Sequence, residues 1–460
     1  MDVMDKLTIL AEAARFDAAC TSSGARRGPK AGRFGCTSPA GCCHSFTADG
    51  RCITLLKVLM SNACSYDCAY CVNRSGARCQ RATFAPHELA QLTVDFYRRN
   101  YIEGLFLSSG VLGTPDATSE RMIACLRILR DELRFNGYVH AKVIPGTSPK
   151  LVEALGRLAD RLSVNLELPS AASLTTLCPQ KGQRAVLAPM RQIAEGHAQE
   201  GQRLLASGAT RGTGVPSHHP QGRQRDGRSL LVNANALTLG RSPSPVPTAR
   251  RRFAPAGQST QLIIGATPES DHHVLRLSQA LYQHFNLKRI FFSAYMPMIE
   301  DARLPERDTP VPLRREHRLY QADWLMRYYG FSPDELATPT EPWLDLDLDP
   351  KLAWALRNIA RFPVEVMDAP LPMLLRVPGV GPVGARRIMS ARRAQRLDFG
   401  DLRRLGVTLK RARHFLTCSG VRDRESPLDA ELIRQRVVSD ATSSRYNRAR
   451  RAAEGQLSLF

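Results

Sequence analysis

Ile53-Thr54-Leu55-Leu56-Lys57-Val58-Leu59-Met60 leads, a few residues on, into Cys64-Ser65-Tyr66-Asp67-Cys68-Ala69-Tyr70-Cys71. An apolar, β-branched run of that length predicts a core strand, and the strand ends in a loop with three cysteines. Thiolates at i, i+4 and i+7 on one short loop can hold three irons of a [4Fe–4S] cube and leave the fourth iron without a protein ligand, open to chemistry. The plainer readings are a zinc knot or a set of buried thiols. Zinc sites usually gather four ligands from two separated pairs, and no fourth ligand follows this triplet at fixed spacing.

Helix-like and strand-like segments alternate beyond the loop. Residues 86–100 precede a strand over 104–110, residues 119–135 precede 138–144, and residues 149–160 precede 162–168; two further strands are expected over 261–266 and 289–295. Six strands alternating with helices predict an α/β fold, a parallel sheet with right-handed crossovers curling into a partial (β/α)6 barrel. The site of such a sheet lies at the carboxyl ends of its strands, where the cysteine loop falls. Ser108, Ser109 and Gly110 close the second strand. Asn165 and Glu167 share one face of the fourth, because side chains alternate with period two. They are candidates for ribose or substrate contact, and a buried hydrogen-bonded structural pair is an equal alternative.

At 460 residues the chain exceeds one comfortable core. The expected divisions are a Cys-rich extension over 1–52, opening with a helix over 6–19 and continuing as a Gly-, Ser-, Arg- and Cys-rich loop up to the first strand; a core over 53–338; a helical domain over 339–425; and a basic tail over 426–460. Residues 195–255 lose periodicity and are rich in Gly, Ser, Pro, Gln, His and Arg, which predicts a disordered insert with solvated His197, His218 and His219. The chain has no 18-residue apolar run, and acids interrupt its first ten residues, so neither a membrane span nor a signal peptide is expected. A cytoplasmic protein follows, with its 12 cysteines as ligands or buried thiols. Cys125 and Cys178, on apolar periodic stretches, read as core. Cys20, Cys36, Cys42, Cys43 and Cys52, with His44, crowd the region before the first strand; they suit a second cluster or a zinc ion, or are ordinary small thiols.

The net charge of +21 is unevenly spread, with +11 over 371–454 and +6 over 195–255. Polyanion binding explains the first excess, and an Arg-rich sequence bias is the better account of the second. Within the first lies Leu374-Leu375-Arg376-Val377-Pro378-Gly379-Val380-Gly381-Pro382-Val383-Gly384-Ala385-Arg386-Arg387-Ile388. A Gly-x-Gly turn lets backbone N–H groups at a helix N-terminus approach a phosphate, and Arg386 and Arg387 add charge one turn later. Such contacts position a protein on nucleic acid without reading bases. A Pro-Gly turn between two helices of a protein-interaction domain is the alternative. A second, degenerate copy is expected at Leu402-Arg403-Arg404-Leu405-Gly406-Val407, followed by a helix over 409–416. The chain ends in Gln456-Leu457-Ser458-Leu459-Phe460, whose apolar anchors on a polar tether suit a hydrophobic pocket, on a partner or on its own domain.

The cysteine loop resembles the signature of the radical S-adenosylmethionine (SAM) superfamily. That resemblance implies a [4Fe–4S] cluster and SAM as cofactors. The open iron chelates the amino and carboxylate groups of SAM, and one electron from an external donor splits SAM into methionine and a 5′-deoxyadenosyl radical. It also implies that the ring of Tyr70 flanks the adenine, and that Ser108, Ser109 and Gly110 lie where the superfamily bonds the methionine amino group, although Gly-Gly-Glu is commoner there. The 374–388 segment resembles the helix-hairpin-helix of DNA repair proteins. Gln456, Leu457, Leu459 and Phe460 resemble the peptide by which bacterial polymerases and repair factors dock on the sliding clamp.

Longer stretches resemble one family. These are Gly41-Cys42-Cys43-His44-Ser45-Phe46-Thr47 through Arg51-Cys52, Arg98-Arg99-Asn100-Tyr101-Ile102-Glu103-Gly104-Leu105-Phe106-Leu107-Ser108-Ser109-Gly110, Ala256-Gly257-Gln258-Ser259-Thr260-Gln261, Arg314-Arg315-Glu316-His317-Arg318-Leu319-Tyr320-Gln321-Ala322-Asp323-Trp324-Leu325 and the 374–388 hairpin. They are similar to radical SAM proteins of DNA modification or repair, often encoded beside a uracil-DNA-glycosylase-like partner. The resemblance spans about 6–416, departing at 195–255, and implies an enzyme that holds DNA with an all-α C-terminal helix-hairpin-helix domain and modifies or repairs a base or sugar. The target would be flipped or single-stranded. An RNA-modifying radical SAM enzyme is one alternative, for which stacking aromatics on a sheet are expected. A non-catalytic iron–sulfur DNA-binding protein is the other, and SAM turnover separates it from both enzymes.

Overall fold

The computed structural model describes residues 1–14, 42–46, 52–206, 251–424, 426–427 and 429–443. Seven strands follow one another in the order β1-β2-β3-β4-β5-β6-β7. β1 (Cys42–Phe46) runs antiparallel to β2 (Cys52–Leu59). β2, β3 (Gly104–Ser108), β4 (Tyr138–Lys142) and β5 (Arg161–Ser163) are parallel neighbours, as are β6 (Gln258–Ile264) and β7 (Arg289–Ala294). Consecutive order means that every crossover steps the same way, as in a barrel wall and unlike a doubly wound sheet. α2 (Pro86–Arg98), α3 (Pro115–Arg127) and α4 (Pro149–Leu158) accordingly pack side by side.

The chain forms two compact units. The first comprises 1–65, 78–164 and 187–258. Its sheet register aligns Leu56, Leu105 and Val139 in one row and Val58, Leu107, Ala141 and Leu162 in the next, all fully buried. The row between is Lys57, Phe106, His140 and Arg161, where the His140 ring meets Phe106 edge-on at 4.5 Å. Burial, aided by Arg161 and Lys142, holds His140 well below the usual histidine range, so it is neutral. α1 (Val3–Ala13) starts at a capping box between Asp2 and Asp5 and is tied by Lys6 to Glu88 at 2.7 Å. Arg130 stitches the end of α3 to the end of α4, donating to the carbonyls of Phe135, Gly137 and Leu158 and to the Asp160 carboxylate.

Two expectations are corrected here. The insert expected from residue 195 is helical at its start, because α6 (Gln183–Ala206) carries the fully buried Met190 and Ile193 through that point. Arg157 pairs with Glu200 at 2.7 Å, and on its return the chain buries Phe253 beside Gly156 and Gly196, where a side chain would strike the ring. Residues 207–250, with His218 and His219, lie outside the described residues. β1, in a Cys- and Gly-rich stretch read as loop, is a strand because β2 supplies its hydrogen bonds.

The second unit comprises 66–77, 165–186 and 259–460. It contains α5 (Ala171–Leu177), α7 (Asp271–Phe285) and α8 (Leu313–Tyr329), the last anchored to β7. Glu316 accepts the Ala294 N–H at 2.6 Å, Tyr320 Oη bonds both the N–H and the carbonyl of Phe292, and Arg315 pairs with the buried Asp271 at 2.6 Å. α9 (Pro333–Leu336) and α10 (Pro350–Arg357) lead to the C-terminal elements, which are not all helical as expected. β8 (Val364–Glu365), β9 (Leu416–Cys418) and β10 (Val421–Arg422) form a small sheet in the order β10-β9-β8. Ser419 and Gly420, at φ +50° and +81°, make the tight turn, and the Glu365 carboxylate accepts both their N–H groups at 2.9 Å. No described helix is long and apolar enough to cross a membrane.

Candidate functional site

In the first unit, the loop after β2 is clamped by the chain returning at 80–84. Met60 accepts the Phe84 N–H at 2.9 Å, Asn62 bonds the Gln80 carbonyl and the Ala82 N–H at 2.8 Å each, and Ser61 Oγ lies 2.7 Å from Thr83 Oγ1. Cys64 follows. The Val111 N–H donates to its Sγ at 3.3 Å, and Ser65 N–H reaches the Val111 carbonyl at 2.8 Å. Gly110 suits this close approach, since a Cβ there would sit a tight 3.1 Å from that of Cys64 and 3.2 Å from the Ser61 carbonyl. Its N–H is donated to Ser61 O at 2.7 Å. Ser108 is buried, and Ser109 Oγ donates to the Gly110 carbonyl at 2.7 Å.

In the second unit, the rest of the loop is wired to 165–186. The Ala69 N–H donates to Leu177 O, Ser75 N–H to Tyr66 O and Cys71 N–H to Cys68 O, all within 2.8–2.9 Å. Arg74 approaches Asp301 at 3.4 Å, and Arg303 holds Asp301 at 2.7 Å while donating to the Thr176 carbonyl. The Arg303 hydrogen bond keeps the Asp301 carboxyl well below its ordinary range. Cys68 is buried, with its Sγ 2.8 Å from that of Cys178, which is fully buried at the end of α5. The Cys178 hydrogen bond lowers the Cys68 thiol to about 6, against burial and with help from Lys181.

Tyr70 receives Lys181 Nζ at 3.5 Å on its hydroxyl, and the same ammonium lies 3.5 Å from Glu167. Asn165 donates to Glu167 at 3.2 Å and to Gln261 at 3.1 Å. Asn165 and Glu167 meet beyond the end of β5, which stops at Ser163, so the strand expected over 162–168 is shorter than read; Glu167, in the left-handed region at φ +66°, reaches Asn165 by a turn of the backbone and not by strand alternation. Lys181 was invisible to sequence reasoning: it follows Cys178-Pro179-Gln180 in a segment with no periodic pattern, and only the tertiary fold brings it to Tyr70.

The donor chemistry fits a thiolate-bound cluster. Cys64, Cys68 and Cys71 are thiols joined in no disulfide, one already accepts a backbone N–H, and another is acidified. Cys64 belongs to the first unit, and Cys68 and Cys71 to the second. Among the described residues no three His, Cys, Asp or Glu side chains converge to hold a metal ion. Cys42, Cys43 and Cys52 lie on β1 and β2, with Cα partners Leu56, Leu55 and Phe46, and Cys20 and Cys36 lie outside the described residues. Cys125 is core, as expected, with burial raising its thiol to about 12.

The C-terminal hairpin joins α11 (Leu371–Leu374) to α12 (Pro382–Ala391). Gly379 has φ +85°, and Gly381 caps α12 without a side-chain acceptor, with Pro382 at the first helical position. Arg386 and Arg387 are exposed on the first turns of α12, and Arg387 donates to Leu405 O at 3.4 Å. The stretch expected as a second copy forms α13 (Phe399–Arg404), a turn through Gly406 at φ +91°, and α14 (Leu409–Ala412). The helix expected over 409–416 stops at Ala412 because Leu416 enters β9. Thr408 N–H donates to Gly379 O at 2.9 Å, joining the two turns. Gln456, Leu457, Leu459 and Phe460 lie outside the described residues.

Lys351 supports the first turn from beneath, donating to Val380 O at 2.6 Å. Burial lowers its ammonium to about 7. A lysine whose pKa is depressed on folding binds fewer protons when folded, so stability rises with pH between about 7 and the unfolded value and is flat below. Between pH 7 and 9 the native protein should gain about 2 kcal/mol relative to Lys351→Met. Denaturant titrations of both proteins at the two pH values test this; an unchanged difference refutes it.

No family model matches the chain, and no curated protein matches it. Among solved structures, the crystal structure of HydG, a maturase of the [FeFe]-hydrogenase, is similar at 13% identity and a TM-score of 0.37. The match covers 58% of this chain and 48% of that one, so the chain spans about half the length of HydG.

Proposed function

We propose that this chain is a radical SAM iron–sulfur enzyme that acts on DNA, modifying or repairing a base or sugar. The observation that carries the reading is the Cys64–Cys68–Cys71 loop at the carboxyl end of β2, the first parallel strand of a consecutively ordered sheet. Cys64, Cys68 and Cys71 would hold a [4Fe–4S] cluster, which when bound supplies the electron that cleaves SAM. Tyr70, Ser108, Ser109, Gly110, Asn165 and Glu167 are the proposed SAM and substrate contacts, and Lys181 joins them. Its ammonium, between Tyr70 and Glu167, can fix a carboxylate or hold Glu167 in place.

The nucleic-acid half of the reading rests on the Gly379–Gly381 turn, the uncapped start of α12 and the exposed Arg386 and Arg387, which suit a phosphate backbone. A uracil-DNA-glycosylase-like protein, the sliding clamp at Gln456, Leu457, Leu459 and Phe460, and an external electron donor are the proposed partners. The thiols of the loop suit a reducing, cytoplasmic setting.

The test is anaerobic incubation of reconstituted protein with SAM, a reductant and DNA carrying deuterated nucleosides. Deuterium in 5′-deoxyadenosine, from one nucleoside only, is the expected result. Uncleaved SAM sinks the enzyme, and label arriving only from RNA redirects the substrate.

A further inference from the structure

We propose that Cys68 and Cys178 form a reversible disulfide when the metal-free loop meets oxygen, which makes the pair a redox modification site. The two sulfurs lie 2.8 Å apart, and both are buried, at 4% and 0% exposure. Their backbones are fastened at the same place, because the Ala69 N–H donates to Leu177 O at 2.8 Å, one residue from each cysteine. Cys178 is further fixed by its N–H to Leu174 O and by its carbonyl, which accepts the Lys181 N–H. Cys68 is held by the Cys71 N–H on its carbonyl. Two thiols held in contact by independent hydrogen bonds need little movement to reach disulfide geometry.

The step balances with dioxygen as oxidant. Two S–H bonds break, one S–S bond forms, and two protons and two electrons reduce O₂ to hydrogen peroxide. A small-molecule disulfide can replace it by two exchanges. Burial sets the rate and leaves the endpoint unchanged, since the pair reacts only when the loop opens locally. The alternative fate of an oxidised Cys68 is sulfinic acid, which is irreversible for an ordinary thiol. The disulfide would therefore preserve a cluster ligand in recoverable form and block iron loading until a thiol reductant restores it. That consequence rests on the proposed function; the disulfide itself does not.

The experiment uses metal-free full-length protein, exposed to air, quenched and alkylated in denaturant, then digested with trypsin. The peptide over 58–74 carries Cys64, Cys68 and Cys71, and the peptide over 162–181 carries Cys178. The expected product is the two peptides linked, alkylated at Cys64 and Cys71, with fragment ions placing the bond at Cys68 and reductant releasing it. Air-exposed protein should take up less than one tenth of the iron that the same sample accepts after thiol reduction. In Cys178→Ser no link to the 162–181 peptide should form, and the iron uptake lost on prolonged air exposure should not return on thiol reduction, because Cys68 then goes on to sulfinic acid. Full alkylation of Cys68 after prolonged air exposure, or a link to Cys64 or Cys71, overturns the proposal. A linked peptide in a protein that never binds iron would sustain the disulfide and refute the cluster instead.

Discussion

Replacing Cys64, Cys68 or Cys71 by alanine is expected to abolish SAM cleavage, lowering it by at least about 100-fold, and to reduce iron from about four per chain to less than about one. The effect is large because the three sulfurs act as a unit: with one ligand lost, two thiolates cannot retain a cube. Cys125→Ala is the control, since that buried thiol lies on α3 and touches no part of the loop chemistry. It should lose about 1 kcal/mol of stability and keep its iron. Anaerobic iron analysis and product chromatography on the four variants make the comparison. Iron and turnover retained in any single loop variant would remove the proposed centre.

The second large effect is at the hairpin, where two glycines that look equivalent in sequence are separated by their surroundings. A Cβ on Gly379 would lie 2.5 Å from Thr408 O and 3.1 Å from Ala412 N, at a φ of +85° that a β-branched residue does not tolerate. Gly379→Val should therefore destabilise the C-terminal elements by about 4 kcal/mol and abolish duplex binding through loss of structure. Gly381 has φ −93°, and its nearest neighbour is Tyr329 Oη at 3.6 Å. Gly381→Ala should fold normally and weaken binding uniformly across sequences, because only the approach to the backbone changes. Thermal melts beside binding isotherms separate the two. A stable Gly379→Val protein, or undiminished binding by Gly381→Ala, contradicts the assignment.

The contrast shows what the residues disclosed alone. Six parallel strands were legible because each is a short apolar run between helical periods, and the resemblance stretch at 314–325 has a structural use in pinning β7. β5 stops at Ser163, earlier than its apolar pattern, although Glu167 still bridges to Leu262. α6 was hidden because its buried stripe is diluted by Gly, Gln and Arg, and tertiary burial of Met190 and Ile193 decides it. The three cysteines announced themselves by spacing. Cys178 was readable as buried, but its neighbour was not, since contact across 110 residues leaves no local pattern. Lys181 and the N–H of Val111 escaped for the same reason.

The wiring of 66–77 has a kinetic consequence. Asp67 accepts from Gly76, Ser75 closes on Tyr66, and Arg74 is held at Asp301, so this stretch is tied to the second unit by its own hydrogen bonds. Small zinc modules remain unfolded until the ion arrives, and chelation dismantles them. Here the contacts that hold 66–77 belong to the protein, so metal stripped without air should leave a folded stretch that can be charged again, whereas stripping in air would first lock Cys68 to Cys178 and delay recharging until a thiol reductant arrives.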